Sequence, residues 1–456
     1  MTGLAFALLL SASLAAYMIN RRAALALRDR GERLHSLGMF HGLYGLLLIM
    51  VPAVVVKVLW IMLQNGAINA LTMSGLPDGV LDDAANRQLV LSEIQSLAQG
   101  RVFGTPEPWK LEAAERMNGL RANSAWLMVA VVAALSAVLL LVSRRQVAAA
   151  FRARQAVERI VMGLMIACSL VAVIVTFGIV FSLVFESVRF FQMVPLTDFL
   201  FGTRWEPQMP IRADQIAAEG AFGVLPVFLG TLVITFVAIA ISVPIGLMSA
   251  IYLNEFADRR FRAVAKPILE LLAGIPTVVY GFFAILTVAP ALRAWGAALG
   301  IPVAPNTALA AGGVMAIMLI PFISSFADDA LSAVPRSLRD GAIALGATRS
   351  ETVLNVLFPA AIPGIVGGVL LAVSRAIGET MIVLMAAGLI AKMTLNPLDS
   401  VTTVTVQIVT LLIGDTAFDS PKTLAAFALG LMLFIVTLFI NILALRIVRK
   451  YREQYD

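Results

Sequence analysis

The sequence has little charge, one cysteine and two histidines. Only 14% of its 456 residues are Asp, Glu, Lys or Arg, where a soluble chain carries nearer a quarter. Cys168 has no partner for an internal disulfide and lies in an apolar stretch, where it reads as a packing residue. His35 and His41 lack Cys or carboxylate neighbours at ligand spacing, so no metal site is expected. No Gly-x4-Gly-Lys-Ser/Thr phosphate loop occurs. The chain is therefore not expected to hydrolyse ATP, and no cofactor is expected within it. No low-complexity tract occurs. The net charge of +6 is spread over loops and reads as membrane orientation, with no nucleic-acid partner.

What remains is overwhelmingly apolar: 60% hydrophobic residues and a mean hydropathy of +0.91. The fold class expected is all-α and polytopic, with membrane lipid as its surroundings. About 20 apolar residues cross a bilayer as a helix. Nine spans meet that length, at roughly 2–20, 40–63, 124–142, 159–185, 225–253, 267–290, 307–333, 359–391 and 423–446. Arginine and lysine cluster in alternating connections: Arg21 to Arg33, Arg144 to Arg159, Arg259 to Lys266, Arg336 to Arg349, and the tail from Arg446. The positive-inside rule puts all five in the cytoplasm, so the C-terminus is expected inside and the N-terminus outside. The first apolar stretch has its arginines after it, the reverse of a signal peptide, and reads as a retained span. Two long loops, 64–123 and 186–224, then lie outside.

The segment from Asp340 to Met381 carries the most information. Asp340, Gly341 and Ala342, then Gly346, then Val356, Phe358 and Pro359 predict a short helix, a glycine break and a second helix ended by proline, an L-shaped element on the membrane surface. The helix after it is expected to hold Arg375 and Glu379 one turn apart on a shared face, as a buried pair. A charge at mid-bilayer costs roughly 2.5–3.5 kcal/mol. Arginine offers a fixed donor fork for a phosphate or carboxylate, and Glu379 would neutralise it when no anion is present. Gly364, Gly368, Ala372 and Ala376 recur every four residues, a stripe that lets membrane helices approach closely; it suits a seam between two subunits. Gly274 and Pro276 interrupt the sixth span as a possible gate kink. Glu270 is expected to pair locally with Lys266, and Asp328 and Asp329 to meet a cytoplasmic partner or the surface loop. Glu112-Ala113-Ala114 is a decoy, lacking the glycine and the proline and falling in a loop placed outside.

The Asp340 to Pro359 spacing resembles the EAA loop of ABC-importer permeases, with Asp for Glu, Gly for the first Ala, and Val and Phe for Ile and Leu. Ser374-Arg375-Ala376-Ile377-Gly378-Glu379-Thr380-Met381 resembles the RAxGET-Met segment of the PstC-type permeases of bacterial phosphate-specific importers. Tyr252 to Ala257, Lys266 to Ala284 and Phe222 to Leu232 match as well. The likeness covers about 156–456. It implies a six-span type I permease core with its transmembrane domain at about 225–446, preceded by an accessory region of three spans at 1–155. The chain would then be a non-enzymatic subunit of the bacterial inner membrane that passes inorganic phosphate inward. Its partners would be a PstA-like permease, a PstB-like ATPase dimer that binds ATP and Mg, and a PstS-like periplasmic binding protein. Ser374, Arg375, Glu379 and Thr380 would lie on the substrate pathway, and the 334–358 loop would dock on the ATPase. The alternatives are a permease for another oxyanion or a phosphonate, or a non-transporting scaffold.

Overall fold

A computed structural model describes residues 2–76, 84–101, 106–207, 220–413 and 420–451; parts of both predicted outer loops lie outside these. Among the described residues, nine helices are long and apolar enough to cross a membrane. The chain forms two compact units, Met1–Ile174 and Val175–Asp456.

The first unit contains α1 (Thr2–Asp29), α2 (Gly38–Met73), α3 (Ala84–Ala98), α4 (Pro108–Arg145) and the start of α5 (Ala153–Met193). Leu9, Ala53, Met128 and Val132 fill its core. Most of the predicted outer loop 64–123 is helical instead. Apolar length marks only the bilayer part of a helix, and both α2, at 36 residues, and α4, at 38, run well past it. Their ends enclose α3 around Ile68, Ile94, Ala113 and Met117. The decoy alanines are thus core residues.

The second unit continues α5 into α6 (Leu196–Phe201) and a two-stranded antiparallel pairing of β1 (Trp205–Glu206) with β2 (Ala221–Phe222), the one strand pairing among the described residues. Then come α7 (Leu225–Ile251), α8 (Arg259–Ala273), α9 (Thr277–Phe283), α10 (Ala289–Ala298), α11 (Ala308–Ser332), α12 (Arg336–Ala344), α13 (Arg349–Thr352), α14 (Phe358–Ile377), α15 (Met381–Ala386), α16 (Val404–Leu412) and α17 (Pro421–Tyr451). Helix α11 is the central post. Of its apolar window 61% is buried within the chain, against none for α5. Ile234 of α7 packs with Met315, Leu319 and Ile323 of α11 in the main core.

Three expectations change here. Gly274 and Pro276 do not kink a span. They cap two separate helices: Gly274 ends α8 and Pro276 precedes α9, so the sixth span starts at Thr277. Pro359 does not end a helix. The chain is helical from Arg349 to Ile377, because a wide π turn over Val353–Leu357 passes the Phe358 N–H to the Val353 carbonyl and makes room for the proline ring. The eighth span stops at Ile377, short of residue 391, because the chain leaves the helix at Gly378.

The small-residue stripe packs within the chain. A Cβ on Gly364 would come 2.7 Å from the Ala330 Cβ, and one on Gly368 2.6 Å from the Phe326 Cβ; Ala372 and Ala376 are buried. Gly364 and Gly368 seat α14 on α11.

Candidate functional site

Arg375 sits in the last turn of α14, where the helix dipole favours a cation. It is exposed, with its guanidinium carbon 5.7 Å from the centroid of the Phe322 ring, a cation–π distance. The predicted pair with Glu379 does not form. Gly378 caps the helix, so Glu379 leaves the helical face that would have brought it beside Arg375. Its carboxylate instead accepts from the backbone N–H of Met381 at 3.2 Å and of Ile382 at 3.5 Å. Among the described residues Arg375 makes no ion pair. Ser374 accepts the Gly378 N–H at its carbonyl, 3.3 Å away, and the Thr380 hydroxyl donates to the Gly378 carbonyl at 3.4 Å. Ser374, Arg375, Glu379 and Thr380 thus lie together on a helix break, with the cation on one side and the carboxylate turned into the next helix.

The surface element takes its predicted bend at one place. Helix α12, bearing Asp340, Gly341 and Ala342, ends in a Schellman turn. The Gly346 N–H donates to the Ile343 carbonyl at 2.9 Å and the Ala347 N–H to the Ala342 carbonyl at 3.1 Å. Gly346 takes φ +88°, the left-handed conformation that only glycine adopts freely. Thr348 starts the next helix with a full capping box: its hydroxyl accepts the Glu351 N–H, and the Glu351 carboxylate accepts the Thr348 N–H. Helix α12 has no buried residue. Ile343, Leu345 and Leu354 are exposed, Leu345 by 91%.

Behind this corner lies an ionic cluster that the sequence reading misassigned. Asp328 is buried. Its carboxylate accepts from Arg262 Nη2 at 2.9 Å, Lys266 Nζ at 2.7 Å and Asn254 Nδ2 at 2.6 Å. Lys266 is therefore engaged with Asp328 and not with Glu270, which is exposed and forms no ion pair among the described residues. Only Asp329 of the acidic pair faces outward. Beside Asn254, Glu255 pairs with Arg339 of α12. The Tyr280 hydroxyl donates to the Leu272 carbonyl at 2.8 Å across the α8–α9 break. At the other end of α11, Trp205 Nε1 donates to Gln407 Oε1 at 2.9 Å. Gln407 Nε2 donates to the Leu389 carbonyl at 3.0 Å and the Thr402 hydroxyl at 3.1 Å. No local periodicity in the sequence signals these residues; Lys266 and Asp328 are 62 positions apart, and Trp205 and Gln407 are 202 apart.

A family described as a binding-protein-dependent transport system inner membrane component matches residues 242–453, and one described as a phosphate ATP-binding cassette transporter matches residues 6–175. A probable ABC transporter permease, YqgH of Bacillus subtilis, is 32% identical over 63% of this chain and 89% of its own length. The chain belongs to the family of binding-protein-dependent ABC permeases, in its PstC-like branch. The phosphate transport system permease protein PstC of Xylella fastidiosa is 32% identical over 55% of this chain and 80% of its own length. That of Mesorhizobium japonicum is 34% identical over 49% and 72%. The solved inward-facing MetNI methionine transporter matches at 21% identity with a TM-score of 0.38, over 51% of this chain and 95% of its own. As an ABC-importer permease the chain is a multi-pass membrane subunit that hydrolyses no ATP and works with a separate ATPase and a binding protein. The extra N-terminal region is itself the part matched by the phosphate-transporter family.

Proposed function

We propose that this chain is the permease subunit through which inorganic phosphate enters the cell, beside a PstA-like permease and above a PstB-like ATPase dimer that binds ATP and Mg. A PstS-like binding protein delivers the anion from outside. In this reading the N-terminus lies outside and the C-terminus and the α12–α13 corner lie in the cytoplasm. The exposed Ile343, Leu345 and Leu354 fit a groove of the ATPase, and the 1–155 region is accessory. The phosphate-transport names of the relatives support the substrate.

The observation that carries the reading is Arg375, a permanent cation in an otherwise apolar helix, without an ion pair among the described residues, beside a carboxylate already held by two backbone N–H groups. An anion arriving there finds a donor fork that no acid among the described residues occupies. The test is uptake of radiolabelled phosphate by the complex in proteoliposomes. Arg375→Gln should lower uptake roughly ten- to a hundredfold, the value of a charged hydrogen bond, and Arg375→Lys should lower it less. Because no pair is formed, adding Glu379→Gln should not restore transport. Uptake of sulfate or a phosphonate in preference to phosphate would transfer the reading to that anion. Normal uptake in Arg375→Gln would remove Arg375 from the path.

A further inference from the structure

The turn that carries Glu379 is held from outside its own helices. The Thr405 hydroxyl donates to the Glu379 carbonyl at 2.9 Å. Thr405 stands in the first turn of α16, whose N-terminus is itself pinned: the Val404 N–H donates to the Thr231 hydroxyl of α7 at 3.1 Å, and Thr403 caps the helix. Two residues further along α16, Gln407 spends every bonding position of its amide. The oxygen accepts from Trp205 and, at 3.4 Å, from the Thr410 hydroxyl, and the nitrogen donates to Leu389 and Thr402. All of this is dry, with Thr405 at 7%, Gln407 at 5% and Trp205 at 6% exposure. The indole is set edge-on to Phe222, at 6.2 Å between centroids, within a cluster that includes Phe190 and Phe199.

We propose that Thr405 and Gln407 are positioning residues of the substrate path: they fasten the Glu379 turn, through α16, to the Trp205 strand pair. The proposal rests on the reading that Glu379 and Arg375 border the anion's route. A satisfied buried amide has one low-energy arrangement, since any displacement strands a donor or an acceptor. The strand pair and the turn therefore keep one geometry relative to each other. A movement of the strand pair, which lies at the end of α11 away from α12, reaches the Glu379 carbonyl through two hydrogen bonds and two residues of α16.

Hydrogen–deuterium exchange on the assembled complex tests the link without reference to any substrate. Trp205→Phe removes the indole N–H and keeps a smaller aromatic ring against Phe222. Thr405→Val removes only the hydroxyl, and Thr405→Ser returns it. Trp205→Phe and Thr405→Val should each speed exchange of the Met381 and Ile382 amides by roughly fivefold, the factor carried by one net hydrogen bond. Thr405→Ser should match the wild type, and the same two variants should raise the KM for phosphate with kcat little changed. Unaltered exchange at Met381 and Ile382 in Trp205→Phe would break the proposed link. Faster exchange with an unchanged KM would make the bonds structural only and overturn the positioning role. A wild-type complex that imports no phosphate would overturn the phosphate reading instead, and the exchange comparison would still decide whether the turn is fastened to the strand pair.

Discussion

The two ends of α11 are fastened by different chemistry. At the α12 end the fasteners are ions: Asp328 between Arg262 and Lys266, and Glu255 with Arg339. At the strand-pair end they are neutral: an amide, an indole and a row of threonine hydroxyls around Gln407. Arg262 and Lys266 each keep 35% of the side chain in solvent, so these cations can exchange protein for water at modest cost. Gln407 and Trp205 have no such outlet. An ionic joint with wet arms suits the end where, under the proposed function, an ATPase would move α12. A dry neutral joint suits the end that must hold a turn in one place. The amphipathic α8 is drawn into the ionic joint on its basic side, while Phe261, Val264 and Leu271 stay exposed on the other.

Removing the centre of the ionic joint should give the largest effect. Asp328→Leu leaves Arg262 and Lys266 facing each other without an acid. The cost should be about 3 kcal/mol, the lower part of the range for a broken buried pair because both cations are partly wet. It should appear as a lower melting temperature of the detergent-solubilised protein. Replacing the three together, Asp328→Leu with Arg262→Met and Lys266→Met, should recover most of that stability while leaving transport impaired. Full recovery of transport in the triple variant would mean that the ionic character of this end is incidental.

These two joints also mark the limit of what the sequence makes legible. The nine spans and the corner at Gly346 were readable because each depends on local signals: apolar length, and a glycine where the chain must turn. Arg375 and Glu379 were readable as residues but not as a geometry. Spacing along an assumed helix put them on one face, and Gly378 ended the helix between them. Gly364 and Gly368 of the α14 stripe pack closely, but spacing alone does not name their partners, which are Ala330 and Phe326 of α11. Lys266 had an acid four residues on, at Glu270, and a better one 62 residues away, at Asp328; burial decided between them. Gln407 was invisible because its partners come from three separate segments.

A second, smaller effect should appear at the corner of the moving end. Gly346→Val forces a β-branched residue to φ +88°, at a cost of about 1–2 kcal/mol. No neighbour lies within 4 Å of the added Cβ, so the strain is conformational and falls on the turn. The protein should remain folded, and the complex should hydrolyse ATP while phosphate uptake falls. Coupled uptake at the wild-type rate would show that the corner's shape does not matter to the transmission, and the contrast between a moving and a holding end would lose its main support.

The smallest effect probes an exposed ion pair at the strand-pair end of α11, between Lys392 and Asp399. Lys392 Nζ lies 2.9 Å from Asp399 Oδ2, and the Thr394 hydroxyl donates to the same oxygen at 2.8 Å. The lysine, and after it the threonine, hold the Asp399 carboxyl below the usual carboxylate range. A depressed folded value stabilises the charged form. The contribution is therefore complete above the ordinary aspartate pKa of about 4, and it is lost as the pH falls below that through the folded value. Asp399→Asn should accordingly lower the melting temperature slightly at pH 7, and the difference from wild type should close as the pH drops below about 4. The backbone around it is tied independently to the start of α11, with the Ala308 N–H on the Asp399 carbonyl at 3.1 Å and the Leu309 N–H on the Pro397 carbonyl at 2.8 Å, so the side chain is not what seats the loop. Raising the salt concentration should shrink the same difference, since the pair is open to solvent. A loss at pH 7 as large as that of Asp328→Leu would place a second essential ionic joint at the holding end, and the division of labour between the two ends would fail.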